Sequence, residues 1–157
     1  MKSAYLDAVG LIERLHRHFL DVVKSDLDRL NIRDINNVQA LILYNVGSEE
    51  VTVGELTLRG YYLGSNVSYN LKKLIEHDYV TQARSPHDRR SVRVRLTPKG
   101  LDLHRRLDQT FQTQSVELEK TIMTADKLRT AAEALRQLER FWNGTLAKGS
   151  QVLTTAA

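Results

Sequence analysis

The sequence predicts a mainly α-helical protein with one small β-hairpin. Most of the chain repeats apolar residues at intervals of three and four, which is the spacing of amphipathic helices. One short segment, residues 92–96, instead alternates apolar and basic residues, and this period of two is typical of a half-buried strand. With 157 residues, 41% hydrophobic and 27% charged, the chain suffices for one globular domain or two small lobes sharing a helix.

Composition and motif searches exclude several classes of function. The chain has no cysteine, which removes disulfides, cysteine-ligated zinc and thiol chemistry. Its histidines lack metal-ligand spacing and no catalytic or phosphate-binding motif appears, so we expect no enzyme, no metal and no cofactor. The N-terminus has no signal-peptide core and charges interrupt every apolar run. We therefore expect a cytoplasmic protein without a membrane partner.

Two helices are predicted at the start of the chain. Apolar residues recur from Ser3 to about Leu30, which indicates a first helix much longer than average. A second and almost wholly apolar helix is predicted over residues 38–46. Asn36 or Asn37 is its expected N-cap, and Gly47 follows its end.

A helix-turn-helix pattern follows. Thr52 and Glu55 fit a capping box, in which each side chain accepts the other residue's backbone N–H, so a short helix is expected from Val53 to about Arg59. The next helical segment has a polar, basic face and an opposite apolar face formed by Val67, Leu71, Leu74 and Ile75. Two such helices joined by a glycine-containing turn indicate a helix-turn-helix.

A basic hairpin is predicted directly after this pair of helices. Residues 79–83 are β-prone, and in residues 92–96 the alternation directs Arg93 and Arg95 to solvent and the apolar side chains to the core. Residues 84–99 carry six lysines and arginines against one acid. A basic hairpin that follows a helix-turn-helix is typical of a winged helix-turn-helix.

Two further helices are predicted after the hairpin. Thr97 is the expected N-cap of a long helix with Pro98 at its first position, and Thr124 is the expected N-cap of the last helix. The final residues show no periodicity and are expected to fray. These elements divide the chain into a winged helix-turn-helix lobe (34–100), a helical dimerisation region (1–33 and 101–147) and a flexible tail (148–157).

The first and last helices carry apolar stripes that the small central lobe cannot cover. Exposed stripes of this size favour association, so we expect a two-fold symmetric homodimer. The alternative is a monomeric helical bundle that closes on itself. The candidate dimerisation residues are Leu6, Val9, Leu15, Phe19, Leu135, Leu138, Phe141 and Trp142.

The run from SNVSYNLKKLIEHDYV to SPHDRRSVRVRLTPKG resembles the signature of the MarR family of bacterial transcription regulators. The resemblance covers nearly the whole chain in helix order and is most specific in residues 63–100, which include the motifs Asp88-Arg89-Arg90 and Leu96-Thr97-Pro98-Lys99-Gly100. It implies a winged helix-turn-helix regulator that binds duplex DNA in the bacterial cytoplasm, at the nucleoid. The chain departs from the family pattern at Tyr69, where many members have arginine, and at His77-Asp78, where many have Lys-Gly.

The helix at residues 65–75 is the predicted recognition helix, which presents polar side chains to base edges in the major groove. Its two lysines are predicted to contact phosphates, which fix register without specifying sequence. The alternatives are that the serines and asparagines cap the helix and that the lysines are only solvated. The candidate residues are Ser65, Asn66, Ser68, Tyr69, Asn70, Lys72 and Lys73.

The predicted wing places Arg89 and Arg90 at its tip, where a narrow minor groove attracts arginine. The family resemblance implies that Asp88 holds a neighbouring arginine, and the alternative is an Asx-turn. Arg93 and Arg95 are predicted to contact phosphate, and the alternative is that they only protect an exposed strand edge. The candidate wing residues are Arg84, His87, Asp88, Arg89, Arg90, Arg93 and Arg95.

These inferences predict a sequence-specific transcription regulator that binds double-stranded DNA as a homodimer on a near-palindromic operator. The family resemblance further implies a small aromatic or anionic effector, for which the sequence marks no site. A different class of function remains as the alternative, namely a winged-helix module for protein interaction or RNA binding.

Overall fold

The computed structural model describes residues 1–60, 64–84 and 91–154, and it confirms the mainly α-helical fold with a small antiparallel sheet. The chain divides into two compact units, Met1–Thr110 and Phe111–Ala157. In chain order the elements are α1 (Lys2–Arg29), α2 (Asn37–Val46), β1 (Val51–Thr52), α3 (Val53–Gly60), α4 (Gly64–Glu76), β2 (Val80–Arg84), β3 (Val92–Leu96), α5 (Pro98–Glu119) and α6 (Ala125–Thr154).

The predicted helix caps of the first unit are present. Asn36 caps α2 and forms a capping box with Gln39, with hydrogen bonds of 2.9 and 3.0 Å. Thr52 N donates to Glu55 Oε2 at 2.7 Å, and Glu55 N donates to Thr52 Oγ1 at 3.1 Å. Gly47 has a φ of 74° and a ψ of −166°, a positive-φ conformation that glycine adopts readily, at the end of α2.

The sheet contains a strand that the sequence did not indicate. Its strand order is β1-β3-β2, with both neighbours antiparallel to β3. Val51 of β1 pairs with Val94, which in turn lies opposite Gln82 of β2. A strand of two residues is too short to show alternation, so periodicity could not predict β1.

The core of the first unit is built around α2. Ile42, Leu43 and Val46 on this helix are fully buried, because its nearly continuous apolar sequence leaves few polar positions to face water. The other elements contribute apolar side chains to the same core, namely Val23, Leu56, Val67, Leu71, Leu74, Tyr79, Val94, Leu103 and Leu107.

In the second unit, α6 begins after its predicted cap but ends later than expected. Thr124 Oγ1 accepts a hydrogen bond from Lys127 N at 3.3 Å. The helix continues to Thr154, past the boundary at residue 147 that the sequence predicted for the helical region. Residues 148–154 contain no proline and a single glycine, and one glycine costs only about 1 kcal/mol within a helix. Backbone hydrogen bonding therefore persists where side-chain periodicity stops.

Candidate nucleic-acid interface

Helix α4 separates an exposed polar face from a buried apolar face. Ser65, Asn66, Ser68 and Tyr69 are all exposed, and Tyr69 retains 62% of its accessible surface. The opposite face places Val67, Leu71 and Leu74 in the core of the first unit. The apolar spacing thus fixes how α4 rotates, and it leaves four of the five predicted base-reading side chains in solvent.

Asn70 requires a correction. Only 9% of it is accessible, and its Nδ2 donates a hydrogen bond of 2.8 Å to the carbonyl of Asn66. A side chain that is buried and already bonded to its own helix does not face a DNA base. The sequence contained the signal, because position 70 lies three residues after Val67 and four before Leu74, on the apolar face.

The two lysines of α4 differ in their surroundings. Lys73 Nζ forms an ion pair of 2.7 Å with Glu76 Oε2. This hydrogen bond raises the pKa of Lys73 and lowers the pKa of Glu76, so both groups are charged near neutral pH. Lys72 is exposed and lines a cleft of about 920 Å³ between α3, α4 and the sheet. The lining of this cleft includes Val53, Ser68, Leu71, Lys72, Glu76 and Gln82.

Three of the predicted wing residues lie on described strands. Arg84, Arg93 and Arg95 are exposed, and the alternation over residues 92–96 predicted this for Arg93 and Arg95. Arg93 Nη1 forms an ion pair of 2.9 Å with Glu50 Oε2, a partner that precedes the unpredicted strand β1. Within residues 1–60, 64–84 and 91–154 we find no ion pair for Arg95. The remaining candidates, His87, Asp88, Arg89 and Arg90, lie outside the described residues.

The turn between α4 and β2 consists of His77, Asp78 and Tyr79. Asp78 has a φ of 61°, a left-handed conformation that non-glycine residues adopt at some cost. Thr97 Oγ1 donates to the Asp78 carbonyl at 2.6 Å, and Thr97 N donates to the Tyr79 carbonyl at 3.1 Å. Lys99 Nζ donates to the His77 carbonyl at 2.9 Å. The start of α5 therefore holds the turn that joins α4 to β2.

Asp34 also lies at this turn, although no sequence pattern marks it as a functional residue. Burial alone would raise the pKa of Asp34, but hydrogen bonds from Lys99 and Tyr79 outweigh it and keep that pKa below its ordinary value. Burial, together with the hydrogen bond to Asp34, raises the pKa of Tyr79 well above its ordinary value. Near neutral pH the carboxylate is thus ionised and the phenol protonated.

Most of the predicted dimerisation residues retain solvent exposure. On α1, Leu6, Leu15 and Phe19 are exposed, while Val9 is half-buried. Within the second unit, Leu135 and Phe141 are exposed on α6. Leu138 and Trp142 are half-buried there. An exposed apolar stripe therefore occurs in each unit.

Two features are absent from the described part of the chain. No group of three or more histidine, aspartate or glutamate side chains in that part of the chain is arranged to hold a metal ion. No helix there is long and apolar enough to cross a membrane.

The fold and the exposed basic elements define a winged helix DNA-binding protein. Residues 35–100 match the family model described as a winged helix DNA-binding domain. The curated relative ExpG of Rhizobium meliloti, an exopolysaccharide II synthesis transcriptional activator, is 36% identical over 145 residues. This alignment spans 92% of the present chain and 75% of ExpG.

Solved structures share the same fold. Streptococcus pneumoniae FabT in complex with DNA has a TM-score of 0.69 at 23% identity, covering 89% of this chain and 98% of FabT. Staphylococcus aureus MarR in complex with salicylate and kanamycin has a TM-score of 0.72 at 24% identity, covering 90% of this chain and 94% of the MarR chain. The chain belongs to the MarR family and is a DNA-binding transcription regulator of that type.

Proposed function

We propose that this regulator acts as a homodimer on a near-palindromic operator, with α4 in the major groove and the wing beside the minor groove. The observation that carries the proposal is the exposed polar face of α4, which stands next to wing strands bearing Arg84, Arg93 and Arg95. Polar side chains at the start of a recognition helix read base edges. Arginines on the wing neutralise phosphates, which supplies affinity without sequence information.

Dimerisation is supported by the exposed stripe on α1. Leu11, Leu15, Phe19 and Val22 each retain more than 40% of their surface and recur at helical spacing. Full burial of an exposed side chain of this kind contributes about 1.5–3 kcal/mol, and each of these has roughly half of its surface left to bury, so pairing several of them across a two-fold axis favours association. Two copies would then present two recognition helices to half-sites about 10–10.5 bp apart.

We further propose that a small aromatic or anionic molecule modulates DNA binding. The support is the salicylate bound in the Staphylococcus aureus MarR structure and the cleft of about 920 Å³ beside α4 in this chain. A ligand in that cleft would contact Ser68 and Lys72, which face the proposed DNA surface. It would regulate binding only if its affinity differs between the free and the DNA-bound protein.

The test is selection of bound fragments from genomic DNA, followed by footprinting and light scattering. The proposal expects a dimer at micromolar concentration and two protected half-sites related by two-fold symmetry. Titration with salicylate then measures any change in DNA affinity. A monomer in solution, or better binding to single-stranded RNA than to duplex DNA, would reject the proposal.

A further inference from the structure

The carboxylate of Asp34 joins three segments that are distant in sequence. Its Oδ1 accepts a hydrogen bond from the Tyr79 hydroxyl at 2.8 Å, and its Oδ2 accepts one from Lys99 Nζ at 2.8 Å. The same ammonium lies 4.0 Å from the centroid of the Tyr79 ring, a favourable cation–π distance. We call this arrangement the Asp34–Tyr79–Lys99 cluster.

The cluster acts directly on the turn between α4 and β2. Lys99 Nζ divides its hydrogen bonds between Asp34 and the carbonyl of His77, the first residue after α4. Tyr79 is the residue before β2, and its ring is fully buried. The carboxylate therefore anchors both ends of the short link between the two proposed DNA-reading elements.

We propose that Asp34 is a positioning residue for specific DNA binding, because it fixes the angle between the recognition helix and the wing through Lys99 and Tyr79. This inference rests on the proposed placement of α4 and the wing on DNA. Hydrogen bonds to base edges tolerate little displacement, whereas flexible lysines and arginines follow a phosphate over a wider range. Loosening the turn should therefore weaken specific binding more than non-specific binding.

The exposure of the cluster separates this role from a contribution to stability alone. The side chains of Asp34 and Lys99 retain 35% and 45% of their surface, while the adjoining core residue Tyr79 is buried. Exchanging the carboxylate for an amide leaves the buried ring in place. The folded chain should then persist with a less constrained turn.

The sign of the charge change gives a sharp test. Asp34→Asn removes one negative charge, so electrostatics alone predicts tighter binding to DNA. Loss of positioning predicts the opposite for a preferred sequence. The two explanations differ in direction and not only in size.

The experiment compares full-length wild type, Asp34→Asn, Lys99→Met and the double variant by fluorescence anisotropy. One probe is a duplex selected from a random pool by the wild-type protein, and the other is an unrelated duplex of equal length. We expect each single substitution to lower the ratio of specific to non-specific affinity about five- to tenfold. The double variant should lower the ratio by less than the product of the two single effects, because the two residues share the contact between Asp34 and Lys99.

Asp126→Asn is the matched control, since it removes the same charge and an i,i+3 ion pair with Arg129 on α6. It should leave the affinity ratio unchanged. Circular dichroism establishes that each variant is folded at the assay temperature. If Asp34→Asn does not fold, Tyr79→Phe, which removes only the hydroxyl donor, should show the same lowered ratio.

An unchanged or raised ratio in Asp34→Asn, or in Tyr79→Phe where the former does not fold, overturns the positioning role. Lys72→Ala then identifies which idea has failed. Weakened binding in Lys72→Ala leaves the proposed interface standing without the positioning role of Asp34. Unchanged binding in Lys72→Ala as well overturns the proposed placement of α4 on DNA.

Discussion

Gly100 lies so close to Tyr79 that a Cβ atom built on the glycine would be 2.1 Å from the Tyr79 carbonyl oxygen. The obstacle is backbone, which cannot rotate away as a side chain can. The same carbonyl accepts the Thr97 N–H at 3.1 Å. The first turn of α5 can therefore pack against the turn between α4 and β2 only if position 100 has no side chain.

Gly100→Ala should destabilise the protein, because the added methyl forces the two backbones apart. We expect a loss of about 1–3 kcal/mol in the free energy of unfolding, the usual cost of overpacking, measured by urea denaturation at fixed protein concentration. Gly144→Ala on α6 is the matched control. Apart from its chain neighbours and its own helix backbone, no atom of the described residues lies within 4 Å of the Cβ added there, so the higher helix propensity of alanine should stabilise the protein by up to about 1 kcal/mol. Equal effects at the two sites would contradict the steric explanation.

Stability should depend on pH through Asp34. Its folded pKa lies below its unfolded value of about 3.9. The contribution of the Asp34 carboxylate to the free energy of unfolding is therefore fully present above the unfolded pKa, and it is lost as pH falls through the folded pKa. Wild type should be more stable than Asp34→Asn at pH 6, and the difference should shrink below about pH 4.

Thermal denaturation of both proteins from pH 7 to pH 3 measures this difference. Lys99→Met provides the comparison, because it removes a hydrogen bond that lowers the pKa of Asp34. In the Lys99→Met protein, the loss of stability caused by Asp34→Asn should depend less on pH than it does in the wild type. A stability difference that does not change with pH would show that the charge of Asp34 is not responsible.

The elements that the sequence predicted correctly are those specified by local pattern. Helices α1 to α6 follow from apolar spacing and from caps such as Asn36, Thr52 and Thr97, whose partners lie three residues away. The wing strand β3 follows from the alternation of Val94 and Leu96 with arginines. Each of these signals lies within a single helix, with its cap, or within a single strand.

The features that the sequence did not reveal depend on distant residues. Asp34 meets Tyr79 and Lys99 across 45 and 65 positions, a distance over which no single-sequence pattern operates. Strand β1 is recognised only by its pairing with β3, so the ion pair between Glu50 and Arg93 was also missed. The sequence therefore predicted which helix and strands form the candidate interface. It did not predict the long-range contacts of Asp34 that hold these elements together, or the ion pair with Glu50 that neutralises Arg93.

Glu50→Gln should strengthen non-specific DNA binding. The substitution removes a negative charge and frees Arg93 from its 2.9 Å ion pair, which leaves one more cation for phosphate. The plot of log affinity against log salt should steepen by about one. Anisotropy titrations over a range of salt concentrations test this. Glu133→Gln on α6, which also breaks ion pairs with arginines, should change neither the salt slope nor the affinity, because the proposed interface is formed by α4 and the wing.

Leu15→Glu should shift the proposed dimer toward monomer. The substitution inserts a charge into the exposed stripe of α1, where Leu15 retains 58% of its surface, and burying an unpaired charge in an interface is costly. Light scattering at micromolar concentration measures the mass. Arg17→Glu, two residues on and on the opposite side of the helix, should remain dimeric. Retention of the dimer by Leu15→Glu would remove α1 from the proposed interface.

Asn66 and Lys72 should contribute to DNA binding in different ways, because one carries an amide and the other a flexible charge. Both are exposed on α4. Asn66→Ala should cost about 1–3 kcal/mol on the selected duplex and little on an unrelated one, since a lost base contact relaxes specificity. Lys72→Ala should weaken binding to both duplexes and reduce the salt slope by about one.

The same two duplexes, titrated at two salt concentrations, separate these effects. Asn66 reads bases only if its substitution lowers the ratio of specific to non-specific affinity while the salt slope stays constant. Ser65→Ala provides a comparison at the start of α4, where a serine that only caps the helix would change stability and not that ratio. If Asn66→Ala weakened both duplexes equally, the amide would contact the DNA backbone, and base reading would fall to Ser68 and Tyr69 on the same exposed face.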